Sequence, residues 1–154
     1  MADGDRRFLL CRVGEVLCAL SLADVEETMR PLRAEAVAGM PAFVRGVAMV
    51  RGMPIPVVDA AALLFSGAES PAARFVTLKV GSRRVALSVG AVLGIVDIPN
   101  ESVDTLPPLL REAGDDVIAS IGALDTDLLF VLSATKIVTE EVRALAERQS
   151  RVSA

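Results

Sequence analysis

The chain has 154 residues, 20 acidic against 16 basic side chains for a net charge of −4, and 53% hydrophobic residues, with two cysteines and no histidine, tryptophan or tyrosine. A chain of this length buries about two-thirds of its extended surface as one domain and needs no disulfide or metal staple. Without histidine, Ser-His-Asp and Cys-His nucleophiles, imidazole acid–base work and most zinc and non-haem iron sites are excluded. An acidic balance with phenylalanine as the only aromatic residue also argues against a nucleic-acid binder.

From the N-terminus, the apolar run Phe8-Leu9-Leu10-Cys11 stops at Arg12, too short for the apolar core of a signal peptide. The longest uncharged stretch, Val85 to Val96, is 12 residues and broken by glycine, below the roughly 20 residues of a membrane span. A soluble cytoplasmic protein is therefore expected. Strand patterns fall at 8–13, 16–22, 25–28, 44–50, 54–58, 75–80, 83–89, 92–98, 117–124 and 128–133, separated by Gly, Pro and Asp. Short strands at that spacing predict a mainly β fold, a barrel or a sandwich, with two small packed barrels preferred. Helix is expected only around Ala60 to Leu64 and at about 139–150, where Thr139 can cap a helix bearing Val142, Leu145 and Ala146 on one face.

The segment FLLCRVGEVLCALSLADV at 8–25 aligns without a gap with FVTLKVGSRRVALSVGAV at 75–92, with seven identities in 18 positions. Each copy reads as a hairpin whose glycine, Gly14 or Gly81, opens a type II′ turn. A weaker correspondence links Ile55-Pro56-Val57-Val58-Asp59 and the alanines after it to Leu128 through Ser133 and AlaThrLysIleVal. The turn-rich stretch Ser66 to Pro71 separates the copies, so one lobe is expected at about 8–68, a second at about 72–138, and a terminal helix after them.

Few residues suggest chemistry. Cys11 and Cys18 lie opposite each other across the first hairpin, as a redox pair would, but their repeat counterparts are Leu78 and Val85, which favours two buried thiols acting as small hydrophobes. Asp115-Asp116 and Asp125-Thr126-Asp127 lack the ligand spacing of a calcium loop and read as turn residues. Arg83-Arg84 reads as exposed hairpin charge with no assigned function. The unusual stretch is 41–59, with Arg45-Gly46 and Arg51-Gly52 inside strand-like sequence. The plainest explanation makes both glycines bulge or corner positions, with Arg45 pointing to water.

That stretch, PAFVRGVAMVRGMPIPVVD, resembles the signature of CheW-like domains, and the similarity extends from about Phe8 to Val138 through Val25-Glu26-Glu27, Met40-Pro41, the Arg51-Gly52 segment, the second hairpin and Gly122-Ala123-Leu124. The resemblance implies two pseudo-symmetric five-stranded SH3-like barrels and a non-catalytic chemotaxis adaptor without cofactor or metal. Its implied partners are a CheA-type histidine kinase, through that kinase's regulatory domain, and the cytoplasmic tips of methyl-accepting chemoreceptors, with other CheW-like domains as further candidates. It implies cytoplasmic placement at membrane-associated receptor arrays. By position it assigns a receptor-binding groove to Val25, Glu27, Arg51, Gly52, Ala86, Val92 and Ile95, with Glu27 and Arg51 as an acidic–basic pair. The chain departs from the family pattern at Thr28, Ala60, Ala61 and Gly90. Alternatives from the same residues are a divergent scaffold of a non-flagellar chemosensory system and a regulatory module binding an apolar small molecule between the lobes.

Overall fold

The computed structural model describes residues 5–65, 73–99, 103–105, 117–124 and 127–138. The chain forms eleven strands among these residues: β1 (Asp5–Val13), β2 (Val16–Ser21), β3 (Val25–Met29), β4 (Val44–Val50), β5 (Met53–Asp59), β6 (Arg74–Val80), β7 (Arg83–Val89), β8 (Ala91–Pro99), β9 (Val103–Thr105), β10 (Ile118–Leu124) and β11 (Asp127–Leu132). A 3₁₀ turn spans Leu22–Asp24, and two short helices, α1 (Ala60–Leu64) and α2 (Ala134–Ile137), follow β5 and β11. The fold is mainly β, as the strand spacing predicts. Strand β9 was not anticipated, because three residues are too few to show a period. The expected helix at 139–150 and the repeat boundary at 66–71 lie outside the described residues.

The strands form a six-stranded sheet, β8-β1-β2-β11-β10-β9, and a five-stranded sheet, β3-β6-β7-β5-β4. The first five positions of the larger sheet match the smaller one in order and sense. In each, an edge strand pairs antiparallel with a hairpin, whose second strand pairs parallel with one strand of another antiparallel pair. The parallel contacts Val57↔Ala86 and Val131↔Ala19 occupy equivalent places, so the weaker sequence correspondence is real, and α1 and α2 are its equivalent continuations. The two sheets also exchange strands across the repeat. Hairpin β1–β2 sits among strands from the second half of the chain, and hairpin β6–β7 among strands from the first.

Three apolar clusters follow from the alternation of each strand. The largest lies between the sheets and joins Leu9, Cys11, Val13, Cys18 and Leu20 to Val76, Leu78, Val85 and Leu87. The opposite face of the larger sheet buries Phe8, Leu10, Leu17, Ala19, Leu129 and Val131. That of the smaller sheet buries Ala48, Val50, Ile55, Val57, Phe75 and Ala86. Cys11 and Cys18 are register partners, free and fully buried in the central cluster with Leu78 and Val85. Their burial raises both thiols to about 12 from an ordinary 9.0.

Turn chemistry accounts for the hairpins. Gly14 and Gly81 take φ of 60° and 63° with no left-handed residue after them, as a type II′ turn requires. Arg51 and Gly52 form the two-residue turn between β4 and β5 rather than part of a strand, and both are left-handed, at φ 52° and 80°, the type I′ pattern. Gly46 is a bulge position, at φ 148°, where a Cβ would lie 2.2 Å from the Glu35 carbonyl oxygen. The Glu35 backbone exchanges two 2.9 Å hydrogen bonds with Val47 and covers the β4 edge.

Arg45 is partly in water, as expected, but the same bulge also gives it a buried partner. As the extra residue of the bulge, Arg45 is turned toward Asp59, where its Nε donates to Oδ2 at 2.9 Å and its Nη2 bonds the same oxygen. Asp59 is 2% exposed, and its Oδ1 accepts from the amides of Ala61 and Ala62 as the N-cap of α1. Both oxygens of a buried carboxylate are thereby satisfied.

Two outcomes follow. Gly46→Ala will destabilise the protein in urea unfolding by at least the ~1–3 kcal/mol of a strained backbone, because the Glu35 strap must also move; Gly52→Ala, with open space at its Cβ, will cost less. The buried thiols will make stability fall as pH rises above 9.0 toward 12, since the unfolded chain loses those protons first. The slope is up to about 1.4 kcal/mol per pH unit per thiol, and a Cys11→Ala/Cys18→Ala variant unfolded over the same pH series will lack it.

Candidate functional site

Edge strands β3 and β8 occupy equivalent positions in the two sheets, and each contains a bulge. Residues opposite one another on adjacent strands share a face. Val25 pairs with Leu78, Val92 with Cys11 and Ile95 with Leu9, and all three partners belong to the central cluster. Val25, Val92 and Ile95 therefore face the inter-sheet side. Val25 and Val92 are half-buried against that cluster, while Ile95 is 57% exposed, a large apolar side chain left in water at the margin of the core. Thr28 is the equivalent of Ile95, pairing with Val76, so the apolar margin is stronger on β8 than on β3.

Glu27 and Arg51 meet as the resemblance implied. Arg51 Nε donates to Glu27 Oε2 at 2.8 Å and Nη2 to Oε1 at 2.9 Å, a bidentate fork. These hydrogen bonds hold the Glu27 carboxyl below its ordinary range and raise the Arg51 guanidinium above its own. The pair is therefore retained above the usual carboxylate range and lost as pH falls through the lowered value. The Arg51 side chain is largely in solvent and Glu27 is half-buried, so the pair shapes the surface more than it stabilises the fold. The Glu27 backbone is fixed from beneath by buried Thr77, whose Oγ accepts from the Glu27 amide at 3.1 Å and donates to its carbonyl at 3.2 Å.

Strands β3 and β4 are opposite edges of the five-stranded sheet, yet Glu27 on one reaches the turn that ends the other. Glu26, Glu27, Val50, Arg51, Met53, Ile55, Thr77 and Arg84, drawn from all five strands and the turn, line one shallow depression of about 130 Å³. A flat sheet could not bring five strands to one opening. The sheet is curled around its own apolar cluster, and the Arg51–Glu27 fork joins its edges at the mouth.

Of the residues expected in the site, the structure brings Glu27 and Arg51 together at this mouth, with Gly52 beside Arg51 in the turn, and places Val25, Val92 and Ile95 on the inter-sheet side. Ala86 differs: it is fully buried in the middle of β7 and belongs to the core beneath the depression. Arg84, expected to be plain exposed charge, pairs with Glu26 at 2.9 Å and forms a second rim pair. Within the repeat, Glu26 and Arg84 stand where Leu93 and Leu17 stand in the other copy, so two positions exchange apolar for charged together. That paired change was the available signal. Gly90 donates its amide to the Arg12 carbonyl at 2.9 Å, and a Cβ there would approach that oxygen to 3.1 Å.

No group of three or more potential metal ligands occurs among the described residues, and none of their helices is long and apolar enough to cross a membrane. The arrangement offers apolar margins, a charged rim and a shallow opening, which is the equipment of a docking surface. Comparison with known proteins identifies the lineage: the CheW-like domain matches residues 7–142. The chain belongs to the CheW-like domain family. It is 27% identical over 140 residues to the probable chemotaxis protein CheW of Rhizobium etli, covering 90% of each chain. It is 26% identical over 148 residues to the chemotaxis protein CheW of Rhizobium meliloti, covering 95% of this chain and 96% of that one. The crystal structure of the scaffolding protein TtCheW from Thermoanaerobacter tengcongensis superimposes with a TM-score of 0.72 at 21% identity, over 83% of this chain and 88% of that one. The mainly β architecture is thus shared with a solved CheW-like fold.

Thr77→Val, which keeps the volume but leaves the Glu27 amide without its acceptor, will cost about 1–3 kcal/mol in urea unfolding. Thr77→Ser, which retains the hydroxyl, will recover most of that loss.

Proposed function

We propose that the protein is a non-catalytic chemotaxis adaptor that couples methyl-accepting receptors to a CheA-type histidine kinase, working in the cytoplasm at membrane-associated receptor arrays. The reading is carried by the family match at residues 7–142, which takes in both sheets and the edge strands that bear the exposed apolar side chains. The receptor-facing surface is assigned to Val25, Val92 and Ile95 on the inter-sheet side, with the Arg51–Glu27 fork and Gly52 as its polar flank and Ala86 acting only through packing. A helical hairpin tip would lay its apolar face along such a margin, the helix-in-groove mode, while the charged rim sets its orientation. The kinase's regulatory domain, and other CheW-like domains, would engage a separate surface.

The depression at the Arg51–Glu27 fork, at about 130 Å³, is smaller than the roughly 300 Å³ at the low end for ligand pockets, so that depression suits a docking rim better than a small-molecule site.

The test is reconstitution with a receptor cytoplasmic fragment and a CheA-type kinase. Wild type will co-sediment with both and place kinase activity under receptor control. Ile95→Asp and Arg51→Glu will each weaken receptor binding by about tenfold or more, the range of interface anchors, with kinase binding and circular dichroism unchanged. Normal receptor affinity in both variants would overturn the groove assignment, and failure of the wild type to bind either partner would overturn the adaptor reading.

A further inference from the structure

The β4–β5 hairpin carries two methionines that face opposite ways. Met53 pairs with Val50 and lines the depression beside Ile55, Arg51 and Arg84, whereas Met49 pairs with Pro54 on the other face of the ribbon. Their exposures are 46% and 61%, while Met29 and Met40 are half-buried against apolar clusters. Thioether oxidation needs access to solvent and no ionisation, so the two hairpin methionines are the reactive ones among those described. Exposure alone favours Met49. Location distinguishes Met53, which sits among the rim groups.

We propose that Met53 is an oxidative modification site through which peroxide-class oxidants reset the charged rim of this depression. Hydrogen peroxide transfers one oxygen to the Met53 sulfur: the S–O bond forms, the O–O bond breaks, sulfur is oxidised by two electrons to the sulfoxide, and the peroxide leaves as water. The product replaces a soft apolar wall with a strong S=O dipole. Its oxygen is a hydrogen-bond acceptor placed in the same opening as the Arg51 and Arg84 guanidinium groups. It competes with Glu27 and Glu26 for those donors, which loosens the fork joining the two edges of the sheet. Methionine sulfoxide reductase restores the thioether, so the change is reversible. The effect on receptor binding rests on the docking surface proposed above; the oxidation and the rearrangement of the rim do not.

The full chain is treated with hydrogen peroxide and followed by peptide mass mapping, by the side-chain Nε–H resonance of Arg51 in NMR spectra, and by receptor-fragment co-sedimentation. Met49 and Met53 will oxidise severalfold faster than Met29 and Met40 in the folded protein, and all four at similar rates in urea. The Arg51 resonance will shift on oxidation, receptor affinity will fall severalfold, and the reductase will reverse both. Met53→Leu, which keeps the apolar volume, will become indifferent to peroxide, its receptor affinity and Arg51 resonance unchanged on treatment, whereas Met49→Leu will remain sensitive. The proposal is overturned if Met53 oxidises no faster than Met29 and Met40, if the Arg51 resonance is unmoved by oxidation, or if Met53→Leu responds to peroxide as wild type does. If unoxidised protein does not bind the receptor fragment, the docking reading falls, and the Arg51 resonance still decides the modification.

Discussion

The structure depends on the central apolar cluster, because neither sheet is made from one end of the chain. Hairpin β1–β2 supplies Leu9, Cys11, Cys18 and Leu20 to that cluster, and hairpin β6–β7 supplies Val76, Leu78, Val85 and Leu87. Each hairpin turns its other face to a separate smaller core, Phe8, Leu10 and Leu17 in one case and Phe75 and Ala86 in the other. Strands buried on both faces read as nearly continuous apolar runs, which is why more than half of the residues are hydrophobic. The thiols are part of this economy: with Cys11 facing Cys18 where the repeat has Leu78 and Val85, burial keeps them protonated and removes their nucleophilic form.

The pseudo-symmetry is faithful in the backbone and broken in the side chains. The bulges recur: Glu26 and Leu93 are extra residues in equivalent edge strands, as are Arg45 and Ala119 in the equivalent strands β4 and β10. Bulges re-aim side chains, and what they aim differs between the copies. In the five-stranded sheet they direct Glu26 to Arg84 and Arg45 to Asp59. In the six-stranded sheet the same positions hold Leu93 with Leu17 and Ala119 with Ser133, neutral at every place. At these positions one sheet is therefore rimmed with paired charge, while the other, whose exposed Arg7–Asp97 pair lies elsewhere on β1 and β8, leaves Leu93, Ile95 and Leu128 in solvent. A duplicated fold has acquired two unlike faces.

Much of this was legible in the sequence where the signal is local. The two hairpins, their glycine turns, the inward placement of the cysteines and α1 all follow from periodicity and from the aligned copies. The exchange of strands was not legible, because alternation shows which face a residue takes and never which sheet its strand joins. The parallel contact of Leu17 with Leu129 leaves no local trace. The bulge at Gly46 was expected, but nothing local shows that it turns Arg45, still partly exposed, toward Asp59 fourteen residues away. The left-handed backbone of Arg51 was equally hidden, since arginine carries none of the usual signature of a type I′ turn. Within the site, the Glu27–Arg51 partnership and the apolar edge residues came through family resemblance, whereas Thr77, Arg84 and Met53 needed the register of all five strands.

The strand exchange also sets an order of events during synthesis. Every strand of the five-stranded sheet lies between residues 25 and 89, so its partners are all present once β7 has left the ribosome. Hairpin β1–β2 emerges before that sheet and waits, because its flanking strands β8 and β11 are made only after β7. During that interval it exposes an unpaired strand on either side and an apolar face bearing Phe8, Leu10 and Leu17, the kind of surface that attracts wrong partners before the right ones arrive. The nascent chain is thus exposed to aggregation at hairpin β1–β2 while that interval lasts, and a chaperone that shields this hairpin would protect the step on which closure of the larger sheet waits.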